Sequence, residues 1–504
     1  MTPIEFPPGV TTLLSRAAKI SNWRDGNLMR WDGGVTLKPV GGWEQVILSG
    51  GPFASRIRAM HRWTSLNGIV WTAYVCEAHC YIESGGVLTD ITPAGGISPL
   101  AGENAGYGEL DYGEYNYGVD VPGALSSIQK FSPAWTADNW GETLLVMWSY
   151  DGKLYQWLPT TPSARLVAVT GAPIGNRQFV VTPERHVMLF GMNGNFGDIG
   201  WCDQEDINDW NFSDISNTAG AYTVDPLSPI VAVRLSAAGI LVFTPAMAHV
   251  LDYISLPYIY RIRPVARVPI PISAASVSSI PDGVIWISVE GFWLWDGNAV
   301  NIVPCPLWDA ISSRMDFGRT VSESCVVSNA SRGEIWWFWV DSSLGLATSR
   351  YVALDYRAKV WMPGLLSRTC GLSYGNDRNP LMSDGFKVWK HEVGLIYPEA
   401  LAMPYLESQT INIGGGENWV TISKILPDIM GDRTALAFRL ALNDDRTVYS
   451  SQRYSPQRTV NDHGWVDIRE TARDCRLRID MVKNANWSTI GPIIFDLKSR
   501  GKKR

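Results

Sequence analysis

Four carboxylates crowd one short polar stretch, Asp203, Glu205, Asp206 and Asp209, a group whose types and spacing could do chemistry. Two carboxyls hydrolyse a glycoside when a protein holds them at a fixed separation across the sugar, one as acid and the other as base or nucleophile. Closeness along a polar loop does not set that separation, so the stretch reads as solvated turn and cap residues. It also lacks the D-x-[DN]-x-[DN]-G order of a calcium loop. Cys76-Glu77-Ala78-His79-Cys80 offers metal-ligating types without a second Cys or His pair nearby, and reads as buried thiols sharing one strand face. The six histidines, at 61, 79, 186, 249, 391 and 463, occupy neither an H-E-x-x-H nor a nucleophile-elbow setting. Gly414-Gly415-Gly416 is not followed by Lys-Ser/Thr, as a phosphate-cradling loop requires, and reads as a hinge or turn. The residues therefore predict no catalytic, cofactor-binding or metal site.

The elements that would position any such group announce themselves by a recurring phrase, a Gly-based turn followed by an apolar run that closes on Trp. It occurs at Asp151-Gly152-Lys153-Leu154-Tyr155-Gln156-Trp157, at Gly291-Phe292-Trp293-Leu294-Trp295-Asp296-Gly297 and at Asp384-Gly385-Phe386-Lys387-Val388-Trp389. Asp-Gly supplies the positive φ of a tight hairpin turn, and alternating apolar residues cover one face of a strand. Hairpins repeating every 40–50 residues or so point to a β-propeller. A first blade is drawn over about 55–91, with Asn67-Gly68 and Gly85-Gly86 as turns. Further blades follow at about 142–170, 176–215, 229–266, 275–304, 323–365 and 370–394, which makes about seven, with six also compatible. Glu334-Ile335-Trp336-Trp337-Phe338-Trp339-Val340 is a run that suits only a strand covered on both faces. Pro306–Ile311 is the best place for a short helix.

Three regions differ from this pattern. Residues 1–50, with Trp23, Trp31 and Trp43 among turn pairs, read as an extended N-terminal arm that packs by its aromatics. An insert at about 101–124 repeats Tyr-Gly every five residues, at Tyr107, Tyr112 and Tyr117 with Tyr115 added. That period matches neither helix nor strand, so the insert is a loop, either a surface loop or an adhesive one ordered in an assembly. Residues 395–504 alternate without the Trp-closed phrase and read as a β-sandwich with a short basic tail, Lys498, Arg500, Lys502, Lys503 and Arg504. The whole is an all-β chain: propeller over 51–394, sandwich after it, arm before it.

With 504 residues, 46% hydrophobic and 18% charged, the chain has ample material for a core. Its 23 Trp and 19 Tyr exceed what such a core needs, so some are expected in subunit or partner interfaces. A net charge of −6 excludes a global basic field for nucleic acid or anionic membrane. The start carries no basic and apolar leader, and no run approaches the roughly 18 apolar residues of a spanning helix, so a protein made in a cytoplasm and not integral to a membrane is expected. Seven scattered cysteines argue for reduced thiols over a disulfide framework.

Asn22-Trp23-Arg24-Asp25-Gly26-Asn27-Leu28-Met29-Arg30-Trp31, followed by Lys38-Pro39-Val40-Gly41-Gly42-Trp43, resembles the opening of the tail hub, or nozzle, proteins of short-tailed bacteriophages, also called packaged-DNA stabilisation proteins. The Tyr-Gly insert and the loop Trp201–Trp210 are similar to segments of related phage proteins, and the order of aromatic hairpins agrees along most of the length. The resemblance implies a non-enzymatic virion tail protein, made in the host cytoplasm. It implies a hexameric ring below portal and adaptor that closes or lines the exit channel of the viral DNA and docks fibre, spike or needle. Trp23, Arg24, Trp31, Tyr107, Tyr112, Tyr115 and Tyr117 are then the expected subunit or partner contacts, and Lys498, Arg500, Lys502, Lys503 and Arg504 the expected contacts to DNA or an acidic neighbour. The alternative reading is a glycan-binding or glycan-hydrolysing propeller of a tail spike or bacterial surface protein. Against it, Ser149-Tyr150-Asp151-Gly152 places its Gly one position early and Trp157 one late for a sialidase box.

Overall fold

The computed structural model describes residues 2–12, 22–97, 133–224, 229–245, 247–345, 347–373, 378–398, 400–411, 418–443, 453–482 and 487–501. The Tyr-Gly insert, with Tyr107, Tyr112, Tyr115 and Tyr117, and the last three residues Lys502, Lys503 and Arg504 lie outside them. Seven four-stranded antiparallel sheets follow one another along the chain. Their first strands are Ile57–Thr64, Trp135–Trp140, Gln178–Val181, Ala232–Ser236, Val277–Ile280, Cys325–Asn329 and Cys370–Leu372. Each lies beside the next, and the seventh lies beside the first, so the sheets close into a seven-bladed propeller.

The Trp-closed phrase occupies equivalent places in three blades. In the second, fifth and seventh it forms the turn after the second strand and then the third strand, so that Trp157, Trp295 and Trp389 are all buried between blades. The aromatic strand Glu334–Trp339 is buried at every position. Because side chains alternate across a strand, Trp337 meets Phe292 of the fifth blade at 4.9 Å while Trp336 stacks on Tyr351 at 4.4 Å. Helix is scarce among the described residues: α1 (Trp308–Ser312) forms where expected, and α2 (Phe317–Glu323) starts at Asp316, whose carboxylate caps the Arg319 amide.

The fourth strand of the seventh blade comes from the other end of the chain. Trp43–Gln45 pairs with Val388–His391, so a segment from before the first blade closes the ring. Gly41 and Gly42 let it approach, since a Cβ there would meet the Glu392 backbone at 2.6 Å and the Ile396 carbonyl at 2.2 Å. Trp43 then stacks on His391 and donates its indole N–H to the Pro398 carbonyl.

Behind the propeller stand two six-stranded antiparallel sheets, which form the sandwich. One contains Met29–Asp32, Thr36–Pro39, Trp487–Gly501, Trp419–Gly431 and Val466–Ala472, with Thr2–Ile4 added to Trp487–Gly501. The other contains Trp23–Asn27, Tyr405–Ser408, Asp474–Met481, Leu436–Asn443, Arg453–Tyr454 and Arg458–Thr459. The expected N-terminal arm is thus extended but paired throughout its described strands. It contributes to both sandwich sheets, switching between them at Leu28, and then to the propeller. One apolar core runs without a break from Leu406, Ile422 and Phe438 of the sandwich through Trp23, Leu28, Met29 and Trp31 to Trp336, Trp361 and Trp389 of the blades.

Two expectations are corrected here. Trp23 and Trp31 are 3% and 4% exposed within their own chain, so neither is available as a subunit contact. Phe6 stacks on Trp23 with centroids 4.5 Å apart. The surplus of Trp goes the same way: among the side chains whose burial is described, no Trp is exposed. The basic end is likewise a strand as far as Gly501, because Lys498 and Arg500 belong to the strand that pairs with Trp419–Gly431.

Candidate functional site

Where the propeller meets the sandwich, a cleft of about 700 Å³ opens between the sixth blade, α1 and the sheet that carries Trp23–Asn27. Four guanidinium groups line it, Arg24, Arg314, Arg350 and Arg476, together with two carboxylates, Asp25 and Glu407. Asp25 and Glu407 are directly opposed across neighbouring strands and therefore share a face. Each has partners that offset the repulsion. Asp25 accepts from the Tyr405 hydroxyl at 3.0 Å and from the Gly26 amide, while Glu407 lies 3.1 Å from Arg476 and 3.4 Å from Arg478. Arg350 is committed to the buried Asp341. Arg24 and Arg314 are different: both are exposed, and neither side chain has a hydrogen-bond or ionic partner among the described residues. Tyr351, Pro363, Leu307 and Ile311 supply apolar surface to the same cleft.

A second arginine site lies six residues from Arg24 and behaves oppositely. Arg30 is 3% exposed and holds Glu334 at 3.1 Å and Glu392 at 2.6 Å. Trp336 donates to Glu334, and Asn329 to Glu392. Burial works against the Arg30 charge, but Glu334 and Glu392 more than offset it, so its pKa rises. Burial pushes the Glu334 carboxyl up, against the pull of Arg30. Between the two arginines, Asn27 donates to the carbonyls of Ala402 and Met403 and accepts from the Leu365 amide, tying sandwich strand, linker and sixth blade together.

The propeller axis is lined by side chains of the first strands. The Arg58 guanidinium lies over the Trp135 ring at 4.6 Å, and His61 contacts Asn139 at 2.9 Å. Asp138 and Arg234 stand two blades apart yet influence each other. Burial raises the Asp138 pKa, against His61 and Arg234, while burial lowers that of Arg234, against Asp138. Arg234 is nevertheless exposed, on the first strand of the fourth blade.

The remaining predicted residues are dispersed. Asp203 accepts from the Thr218 amide and hydroxyl, Asp206 from the Asn208 amide, and Asp209 from the Asn211 amide and the Asn217 side chain. Glu205 pairs with Arg185 at 3.1 Å. These are turn and cap bonds, as the sequence suggests. Cys76 and Cys80 do not share one strand: they end one strand and begin the next around the turn Glu77–His79, and both thiols are buried. All seven cysteines are free. Burial pushes Cys202 and Cys370 up to about 12, which leaves them unreactive. Lys498 and Arg500 are exposed on the last strand, where Arg500 donates to Thr421 at 2.8 Å. Arg24 alone among the expected contact residues lines the cleft. Arg30, Arg314 and Asn27 were missed, since nothing in their local pattern separates a cleft or buried arginine from a surface one.

Neither a protein-family model nor a curated protein sequence matches the chain. Among solved structures it is similar to the WD40 domain of Neurospora crassa Pan2, at 10% identity and a TM-score of 0.40 over 71% of this chain and 98% of that one. It is also similar to the WD40 domain of Toxoplasma gondii coronin, at 10% identity and a TM-score of 0.35, covering 70% and 88%. An exo-beta-1,3-galactanase from Phanerochaete chrysosporium follows at 11% identity and a TM-score of 0.24, covering 88% and 100%.

Proposed function

We propose that this chain is a non-catalytic structural protein of a short phage tail, several copies of which form a ring, hexameric by the resemblance, below portal and adaptor. The observation that carries the proposal is the interlocked N-terminal segment. Residues 23–45 are strands of both sandwich sheets and of the last blade, so propeller and sandwich share one core and behave as a single strut. A part that transmits force between neighbours needs that continuity. On this reading the DNA path is the space enclosed between copies. For contacts between copies, the fourth blade's hairpin presents an apolar tip, with Leu256 72% and Tyr258 75% exposed, and the Tyr-Gly insert offers further rings.

Analytical ultracentrifugation and negative-stain microscopy of the protein with portal and adaptor test the reading. A ring joined to those partners is expected, and a strictly monomeric protein that never enters such complexes overturns it. Replacing Tyr107, Tyr112 and Tyr117 by Ser is expected to leave the monomer folded and weaken assembly. Unchanged assembly with a lowered melting temperature would make those rings part of the core instead.

A glycan-binding or glycan-hydrolysing role is the second reading, favoured by the opposed carboxylates Asp25 and Glu407 in a cleft of ligand size. Release of reducing sugar from host polysaccharide, abolished by Asp25→Asn or Glu407→Gln, would establish it. The same loss with Asp203→Asn or Glu205→Gln would move the chemistry to the turn-bound carboxylates.

A further inference from the structure

We infer that the cleft between propeller and sandwich is a binding site for a small oxyanionic ligand, a carboxylate or phosphate carried on a compact body. Its location at a junction of two β bodies and its volume of about 700 Å³ are those of a small-molecule site. The charge count decides the ligand's sign. The six ionised groups that line the cleft are four cations and two anions: Glu407 is shared between Arg476 and Arg478, Arg350 is bound to Asp341, and Asp25, hydrogen-bonded to Tyr405, keeps its charge, so the balance stays positive. Arg24 and Arg314 remain, two cations without partners among the described residues, in a chain whose net charge is −6. A guanidinium's planar array of N–H donors matches the paired oxygens of a carboxylate or phosphate.

The two arginines come from separate bodies. Arg24 belongs to the sandwich strand Trp23–Asn27, and Arg314 follows α1 in the propeller. An anion held by both would bridge the junction, so occupancy adds to the stability of the whole chain. Pro363, Leu307 and Ile311 would pack against the uncharged part of the ligand. None of these contacts involves the exposed hairpin or the Tyr-Gly insert, so the inference stands or falls apart from ring formation.

Isothermal titration calorimetry and thermal unfolding of the full chain, with citrate and inorganic pyrophosphate as probes at constant ionic strength set by chloride, test it. At least one probe is expected to bind and raise the melting temperature, and which one does so separates carboxylate from phosphate preference. Arg24→Gln and Arg314→Gln are each expected to weaken that probe about tenfold or more, while Arg267→Gln, an exposed arginine outside the cleft, leaves it unchanged. Failure of both probes to bind the unaltered protein above the chloride control overturns the inference. So does binding that survives in the Arg24→Gln/Arg314→Gln double variant when its melting temperature without ligand matches that of the unaltered protein.

Discussion

Arg24 and Arg30 sit on one short segment, yet one faces an open cleft without a partner among the described residues while the other is buried between two carboxylates. The difference teaches what each site is for. A buried guanidinium with all its charge answered holds elements in register, and it has nothing left to offer a ligand. An exposed guanidinium at a preformed concavity adds little to folding and keeps its donors for something that arrives later. The sheet switch at Leu28 separates the two. Strand Trp23–Asn27 runs along the cleft wall, and Met29–Asp32 crosses into the other sheet, where Arg30 meets the sixth and seventh blades.

The contrast is most easily broken at Arg30. Arg30→Met leaves Glu334 buried without its cation and Glu392 with only the half-exposed Arg332 at 4.0 Å, and is expected to cost about 3–5 kcal/mol in urea unfolding. Adding Glu334→Gln and Glu392→Gln removes the stranded charge and should recover part of that loss. A cost below about 1 kcal/mol for Arg30→Met would mean the triad is no anchor. Asn27→Ala, halfway between the two arginines, strands the Leu365 amide and is expected to cost about 1–3 kcal/mol.

Proton uptake sharpens the same boundary. His391 packs on Trp43 behind the Arg30 site, accepts from Arg368 at 3.1 Å, and is held neutral far below the usual imidazole range by burial first and by the Arg368 and Arg30 charges next. The unfolded chain protonates this ring near pH 6.5. Stability that is present above about pH 6.5 is therefore lost as the pH falls toward the depressed folded value. Thermal melts at successive pH values should show that slope in the native chain and a flatter one in His391→Gln. Equal slopes would place the acid sensitivity elsewhere. The smallest effect is expected at the cleft, where Arg24→Gln and Arg314→Gln should each shift unfolding by no more than about 0.5 kcal/mol. A larger loss would turn the cleft arginines into structural ones and erase the contrast with Arg30.

Much of the fold was legible in the residues. Asp151-Gly152 and Asp384-Gly385 mark turns because only certain residues accept the backbone a hairpin needs, and the Trp that closes each phrase falls on the buried third strand. Three blades were readable for that reason, the other four from alternating apolar runs between turn residues, and α1 from its local sequence. The partners of residues 2–45 were not, because strands that pair with segments several hundred positions away carry no local mark of their mates. Trp23 looks the same in sequence whether it waits for a neighbouring subunit or fills its own core, and here it fills the core. Of the cleft residues the sequence singled out only Arg24, as a contact implied by the resemblance and not as part of a cleft, while Arg314 and Arg476 join it only through the docking of sandwich on propeller.

By itself the sequence determined the all-β character, the hairpin repeat and the turn-bound fate of Asp203 and its neighbours, since each depends on backbone preferences and side-chain bonds reaching only a few residues. Tertiary structure alone decided that the first strands would lock the last blade and both sandwich sheets, and that two arginines from separate bodies would face one cleft. Both outcomes depend on burying apolar faces against distant segments, and that free energy is set by which surfaces meet and not by the order in which they were made.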